Sequence, residues 1–63
     1  MVVNGKKMDY SSITIDQLLK NLNLKEDRVV VEVNHEIVDK TQFKSRVLNE
    51  GDKVEIVSFV GGG

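Results

Sequence analysis

Ser11-Ser12-Ile13-Thr14-Ile15-Asp16-Gln17-Leu18-Leu19-Lys20-Asn21-Leu22 encodes a single short helix near the start of the chain, and that placement decides the fold. The Thr14 hydroxyl can accept from the Gln17 amide while the Gln17 side chain reaches back to the Thr14 amide, which is a capping box. Ile13 and Leu18 stand at the two positions of a hydrophobic staple. Ile15, Leu18, Leu19 and Leu22 recur at i, i+3, i+4 and i+7, so one helical face is apolar.

Strand signals flank this helix. Met1-Val2-Val3, Asn4-Gly5 and Lys6-Lys7-Met8-Asp9-Tyr10 predict an opening hairpin, because Asn-Gly supplies the two positive φ angles of a type I′ turn. Beyond the helix, Lys25-Glu26-Asp27-Arg28 reads as a solvated loop. Val29-Val30-Val31-Glu32-Val33 reads as a strand with Val29, Val31 and Val33 on one face and Val30 and Glu32 on the other. A very short strand is expected at Ile37-Val38, followed by one helical turn capped by Asp39 towards Gln42, with Phe43 buried. Asn49-Glu50-Gly51-Asp52 is a turn by composition. The last strand, Lys53 to Val60, places Val54 and Ile56 on the core face. Val57 and Phe59 fall with Lys53 and Glu55 on the other face unless a bulge reverses the parity.

Hairpin, helix, strand, short strand and final strand make an α+β domain with a mixed sheet of four or five strands and one main helix on one face. A ferredoxin-like fold needs a second full helix, and an SH3-like barrel lacks this early one. A ubiquitin-like β-grasp accommodates both.

Composition narrows the function. At 63 residues one domain is expected, over residues 1–60, with 61–63 as a tail; a unit this small buries only about 60% of its unfolded surface. No cysteine is present to cross-link it or to bind metal as thiolate. Nine Lys plus Arg against ten Asp plus Glu give a net charge of -1, which offers nothing to a phosphate backbone or an anionic bilayer. Tyr10, Phe43 and Phe59 are too scattered for a base-stacking platform. Nucleic acid and membrane are therefore not expected as partners, and a cytoplasmic location is. His35, the lone histidine, reads as an exposed turn residue.

The sequence ends Val60-Gly61-Gly62-Gly63. Glycine has no side chain to pack and the largest ordering entropy, so packing does not account for this run. Taken alone it fits a frayed terminus or a residual linker. It also fits a slim segment, roughly 10 Å when extended, that enters a narrow channel and presents the Gly63 carboxylate. Activation of a carboxylate by ATP needs phosphate-binding groups and Mg²⁺, and the chain has no phosphate loop. A partner would supply them, and this protein would be the substrate. Val30, Val57, Phe59 and Val60 are the candidate interface, with peripheral core as the alternative.

Four segments together carry a family resemblance: Ile15-x-x-Leu18-Leu19-x-x-Leu22, Val31-x-Val33-Asn34-x-x-Ile37-Val38, Leu48-x-x-Gly51-Asp52-x-Val54-Glu55-Ile56-Val57 and Val60-Gly61-Gly62-Gly63. In order and spacing the chain resembles the thiamine-biosynthesis sulfur-carrier family over almost its whole length. The resemblance implies a β-grasp fold and a carrier that is not itself an enzyme. It implies an E1-like adenylating enzyme acting on Gly63, a cysteine desulfurase system supplying sulfur, and thiazole synthase accepting it from a C-terminal thiocarboxylate. Gly61 and Gly62 would thread into the partner. No stably bound cofactor is implied, since ATP and the sulfur donor are used by the partners, and the free chain is expected to be a monomer. Two departures stand out: three glycines where the family usually ends in two, and Asp39-Lys40 where many members have Pro-Arg. Carriers serving molybdopterin synthesis or tRNA thiolation, and ubiquitin-like modifiers, share the fold and tail. A passive interaction domain would have no use for the tail.

Overall fold

The computed structural model describes residues 1–59. The strands are β1 (Val2–Val3), β2 (Lys6–Lys7), β3 (Ile13–Thr14), β4 (Val29–Val33), β5 (Glu36–Ile37), β6 (Val47–Leu48) and β7 (Lys53–Ser58). One α-helix, α1 (Ile15–Asn21), lies between β3 and β4. Among the described residues a five-stranded sheet has the order β2-β1-β7-β4-β5, and β3 pairs with β6 apart from it. β1 runs parallel to β7 and the other pairs are antiparallel. This is the mixed sheet with one helix that a β-grasp requires.

Local chemistry fixes each element. Asn4 and Gly5 take φ of 51° and 81° in the first turn, and the hairpin closes with Val2 opposite Lys7 and Val3 opposite Lys6. The type I′ twist matches the twist of the strands it joins. Thr14 forms the expected capping box: its hydroxyl accepts from the Gln17 amide at 3.2 Å, and Gln17 Oε1 accepts from the Thr14 amide at 3.0 Å. The helix ends at Leu22, where the backbone leaves helical geometry and Asn23 adopts φ 59°. Gly51, at φ 96°, makes the turn into β7.

Ile15, Leu18 and Leu19 of the helix bury against Val31 and Val33 of β4 and Val54 and Ile56 of β7. Phe43 and Leu48 complete this core from the segment between β5 and β7. Ile13 and Leu22 are half-buried at its edge.

Three local expectations need correction, and one pairing is new. Lys25–Arg28 is not an open loop: Glu26–Arg28 forms a 3₁₀ turn, and Asp27 accepts from Lys40 Nζ at 2.7 Å. β5 is Glu36–Ile37 rather than Ile37-Val38, because Asn34 and His35 both adopt positive φ and form a two-residue type I′ turn that sets Glu36 opposite Val33. The Asp39 carboxylate caps Thr41, accepting from its amide and its hydroxyl at 2.9 Å, while the Gln42 amide donates to the Asp39 carbonyl. In a 3₁₀ turn the i→i+3 backbone bond already uses that amide, so the side chain takes the nearer donor. The β3–β6 pair is an addition, with Ile13 opposite Leu48 and Thr14 opposite Val47.

β6 tests how much of the fold rests outside the large sheet. Leu48 is fully buried, whereas its neighbour Val47 is 45% exposed. Leu48→Ala is expected to lower the free energy of unfolding in urea by about 2–5 kcal/mol, much of what a domain of this size has. Val47→Ala should change it by less than about 1 kcal/mol.

Candidate functional site

The strand that leads towards the glycine tail is β7, and asparagines from the turns of its two neighbours hold it. On the β4 side, Asn34 Oδ1 accepts from the Lys53 amide at 3.0 Å, and the Asn34 amide donates to the Lys53 carbonyl at 2.8 Å. Asn34 Nδ2 also donates to Asp52 Oδ1 at 3.0 Å. On the β1 side, the Asn4 amide donates to the Val54 carbonyl at 2.9 Å. Asn4 Oδ1 then accepts from the Ile56 amide at 2.7 Å, and Asn4 Nδ2 donates to the Ile56 carbonyl at 3.2 Å.

The Asn4 carboxamide thus stands in for the next peptide group of β1, which stops at Val3. A carboxamide offers both donor and acceptor, so it satisfies both Ile56 backbone groups where a carboxylate would satisfy one. The backbone continues one step past the strand, with the Phe59 amide donating to the Arg28 carbonyl at 3.0 Å. The sequence shows Asn4 as a turn residue and Asn34 only as part of the family pattern, and neither reading reveals these clamps. Asparagine at both first turn positions is the only trace they leave in the sequence.

Asp52 secures the entry to β7. Its Oδ2 accepts from the Asn49 amide at 2.8 Å. That backbone donor, followed by the Asn34 side chain, holds the Asp52 carboxyl below the usual carboxylate range, against a smaller upward push from burial.

The sheet face turned away from the helix carries the candidate interface. The β4–β7 ladder runs without a bulge from Val33 opposite Val54 to Val29 opposite Ser58, so parity holds throughout. Val30 lies directly opposite Val57, and Phe59 follows on the same face. Val30 is 38%, Val57 58% and Phe59 47% exposed. None of the three belongs to the buried core, which removes the peripheral-core alternative for them. Val60, Gly61, Gly62 and Gly63, the other residues singled out from the sequence, lie outside the described residues.

Among the described residues no group of three or more His, Cys, Asp or Glu is placed to hold a metal ion. No buried side-chain polar atom lacks a partner. No helix is long and apolar enough to cross a membrane. Asp39 and Lys40 have local roles: the first caps a 3₁₀ turn and the second pairs with Asp27.

The chain matches a known family from end to end. The ThiS family profile covers residues 1–63. The chain belongs to the ThiS family. It is 40% identical over 63 residues to the sulfur carrier protein ThiS of Bacillus subtilis, covering 97% of this chain and 96% of that protein. It is also 44% identical over 64 residues to a thiazole synthase of Paramagnetospirillum magneticum; all of this chain is matched, but it spans only 20% of that protein's length. The crystal structure of thiamine biosynthesis protein ThiS from Geobacter metallireducens superposes with a TM-score of 0.79 at 35% identity, covering 98% of this chain and 96% of that one. The fold is therefore the ThiS β-grasp, with a mixed five-stranded sheet and one helix.

The turn before β7 has a pH signature. Because folding lowers the Asp52 pKa, its stabilising contribution is complete above the unfolded-state value and is lost as pH falls through the lower folded-state value. Asp52→Asn should be less stable than wild type at neutral pH. The gap should narrow in chemical-denaturation midpoints as pH falls below the ordinary carboxylate range and through the lower folded-state value.

Proposed function

We propose that this chain is the sulfur carrier for thiazole formation in thiamine biosynthesis, and that the Gly63 carboxylate is the group that carries the sulfur. The carrier is a protein co-substrate, not an enzyme. The observation that supports this most is the ThiS family match across residues 1–63, which includes the glycines. The folded part, residues 1–60, serves recognition, and 61–63 serve as the reactive tail.

In the proposed cycle an E1-like enzyme binds ATP, and the Gly63 carboxylate attacks the α-phosphate. Pyrophosphate leaves and an acyl adenylate forms. A persulfide supplied by a cysteine desulfurase system then displaces AMP to give an acyl disulfide, and a thiol that becomes oxidised to a disulfide with the departing sulfur donor releases the thiocarboxylate. The carboxylate is unreactive until phosphate is attached, and the groups that stabilise the developing charge belong to the partner. ATP and the sulfur donor are reagents of those enzymes, and the carrier holds no resident cofactor. Gly61 and Gly62 pass through the partner's channel because a chain without Cβ atoms needs the least width. The reaction takes place in the cytoplasm, with the free carrier a monomer.

Thiazole synthase is the proposed sulfur acceptor. A protein named thiazole synthase contains a segment 44% identical to this entire chain, and joining a carrier to the enzyme that consumes its sulfur is chemically economical. This support distinguishes thiazole formation from molybdopterin or tRNA chemistry.

Intact mass spectrometry after incubation with ATP, a sulfur source and the E1-like enzyme should show replacement of one oxygen by sulfur at the C-terminus. An unchanged mass would refute the carrier reading. One residue appended after Gly63 should abolish conversion, and deletion of Gly63 should reduce it severely, with thermal unfolding unaltered in both. Val30, Val57, Phe59 and Val60 are the proposed docking surface. Phe59→Ala is therefore expected to raise the KM of the carrier in adenylation by about tenfold or more at unchanged kcat. A normal KM for the folded protein would remove Phe59 from the interface.

A further inference from the structure

The central rows of the open face place two negative charges side by side. Glu32 of β4 lies directly opposite Glu55 of β7. Directly opposed residues on one face of an antiparallel pair have Cβ atoms about 4.5–5.5 Å apart, and like charges there are destabilising. Asp16 and Asp27 are paired with lysines, but among the described residues neither Glu32 nor Glu55 forms an ion pair. Their strand neighbours do not help. β1 ends at Val3, opposite Val54 and one residue short of Glu55, and the residue across from Glu32 on β5 is Ile37. Lys53, on the same face as Glu55, makes no ion pair with it.

The next pair along the ladder is Val30 and Val57, and Ile37 is 71% exposed. The two carboxylates therefore sit in the middle of the sheet, bordered on two sides by exposed apolar side chains. A partner that covers Val30, Val57 and Ile37 also strips water from Glu32 and Glu55. Desolvating adjacent like charges is costly unless the partner brings a cation. A guanidinium fork, with its several donors, can bridge two neighbouring carboxylates.

We propose that the Glu32–Glu55 pair is a specificity element of the docking face, and that it receives an arginine of the E1-like activating enzyme, seated between the apolar contacts to Val30, Val57 and Ile37. This rests on the carrier reading and names the chemistry of the partner surface. The pair rejects neutral or acidic surfaces and admits a basic one, so it acts by selection as well as attraction. Its repulsion in the free carrier is relieved on docking.

Isosteric neutralisation separates this role from a structural one, because the two predict effects of opposite sign. E55Q, and independently E32Q, should raise the thermal midpoint by about 1–8 °C. The same variants should raise the carrier KM in adenylation by about three- to tenfold at low ionic strength. With kcat unchanged, the salt dependence of kcat/KM should flatten. E50Q makes the same change in net charge in the turn before β7 and should leave KM and salt dependence as in wild type. Equal KM values for wild type, E55Q and E32Q would overturn the proposal, as would an E50Q effect equal to that of E55Q. Failure of the wild-type chain itself to gain sulfur in the same assay would overturn the carrier reading and this inference with it.

Discussion

Side chains alternate with a period of two along a strand, so the register of β4 against β7 assigns every residue of both strands to one of two environments. With Val31 opposite Ile56 and Val33 opposite Val54, four apolar side chains meet the helix. The same register sends Val30, Val57, Glu32 and Glu55 to the other face. A slip of one residue would exchange the two sets, turning Glu32 and Glu55 towards the core and its valines towards the open face. The structure guards against that slip at the start and in the middle of β7. Asn34 holds Lys53, Asn4 holds Ile56, and the tight turns carrying these asparagines are themselves fixed by positive φ angles of 52° and 51°.

Much of this was legible in the residues, for identifiable reasons. The capping box at Thr14 and Gln17 is a local motif whose partners are three residues apart, so the sequence contains the whole interaction. The Asn4-Gly5 turn is likewise self-contained, and the alternation of Val29 to Val33 is long enough for parity to be read. Exposure of Val57 and Phe59 followed from carrying the same parity along β7. What was hidden depends on pairing between distant segments. β3 and β6 have two residues each, too few to display a period. The bonds from Asn4 to Ile56 span 52 positions, and nothing in a turn dipeptide announces them. Glu32 and Glu55 could each be placed on the open face, but their opposition is a property of register, which neither strand encodes alone. The tail chemistry was legible only through the resemblance of the whole chain, since three glycines have no side chains from which to argue.

The described part of the chain has the properties of a recognised surface more than of a reactive one. Its polar interior is satisfied, its histidine lies in an exposed turn, and its acids form no metal site. Its exposed large apolar residues are concentrated instead on the strands of the open face: Val30 on β4, Ile37 on β5, Val57 on β7 and Phe59 just beyond. A domain of this size has only several kcal/mol of net stability, so unpaired like charges and uncovered apolar side chains are a sizeable concession. They are consistent with a face that is free part of the time and covered part of the time.

Under the proposed chemistry, recognition has to rest on side chains outside the tail. Gly61, Gly62 and Gly63 offer a partner only backbone, and backbone is common to all proteins, so under the proposed chemistry the glycines can supply fit but little identity. Identity has to be read from side chains close enough to act together with the terminal carboxylate. Four residues beyond Phe59 extend at most about 14 Å, so under the proposed chemistry Phe59 would stand no farther than that from the partner's phosphate-binding centre. Phe59 and the Val30–Val57 pair are the side chains of the open face nearest the point where the chain leaves the sheet, and Glu32 and Glu55 are the next row back. The clamps from Asn4 and Asn34 then acquire a second consequence. By holding β7 in one register they fix which side chains stand on the open face and where Phe59 leaves the sheet.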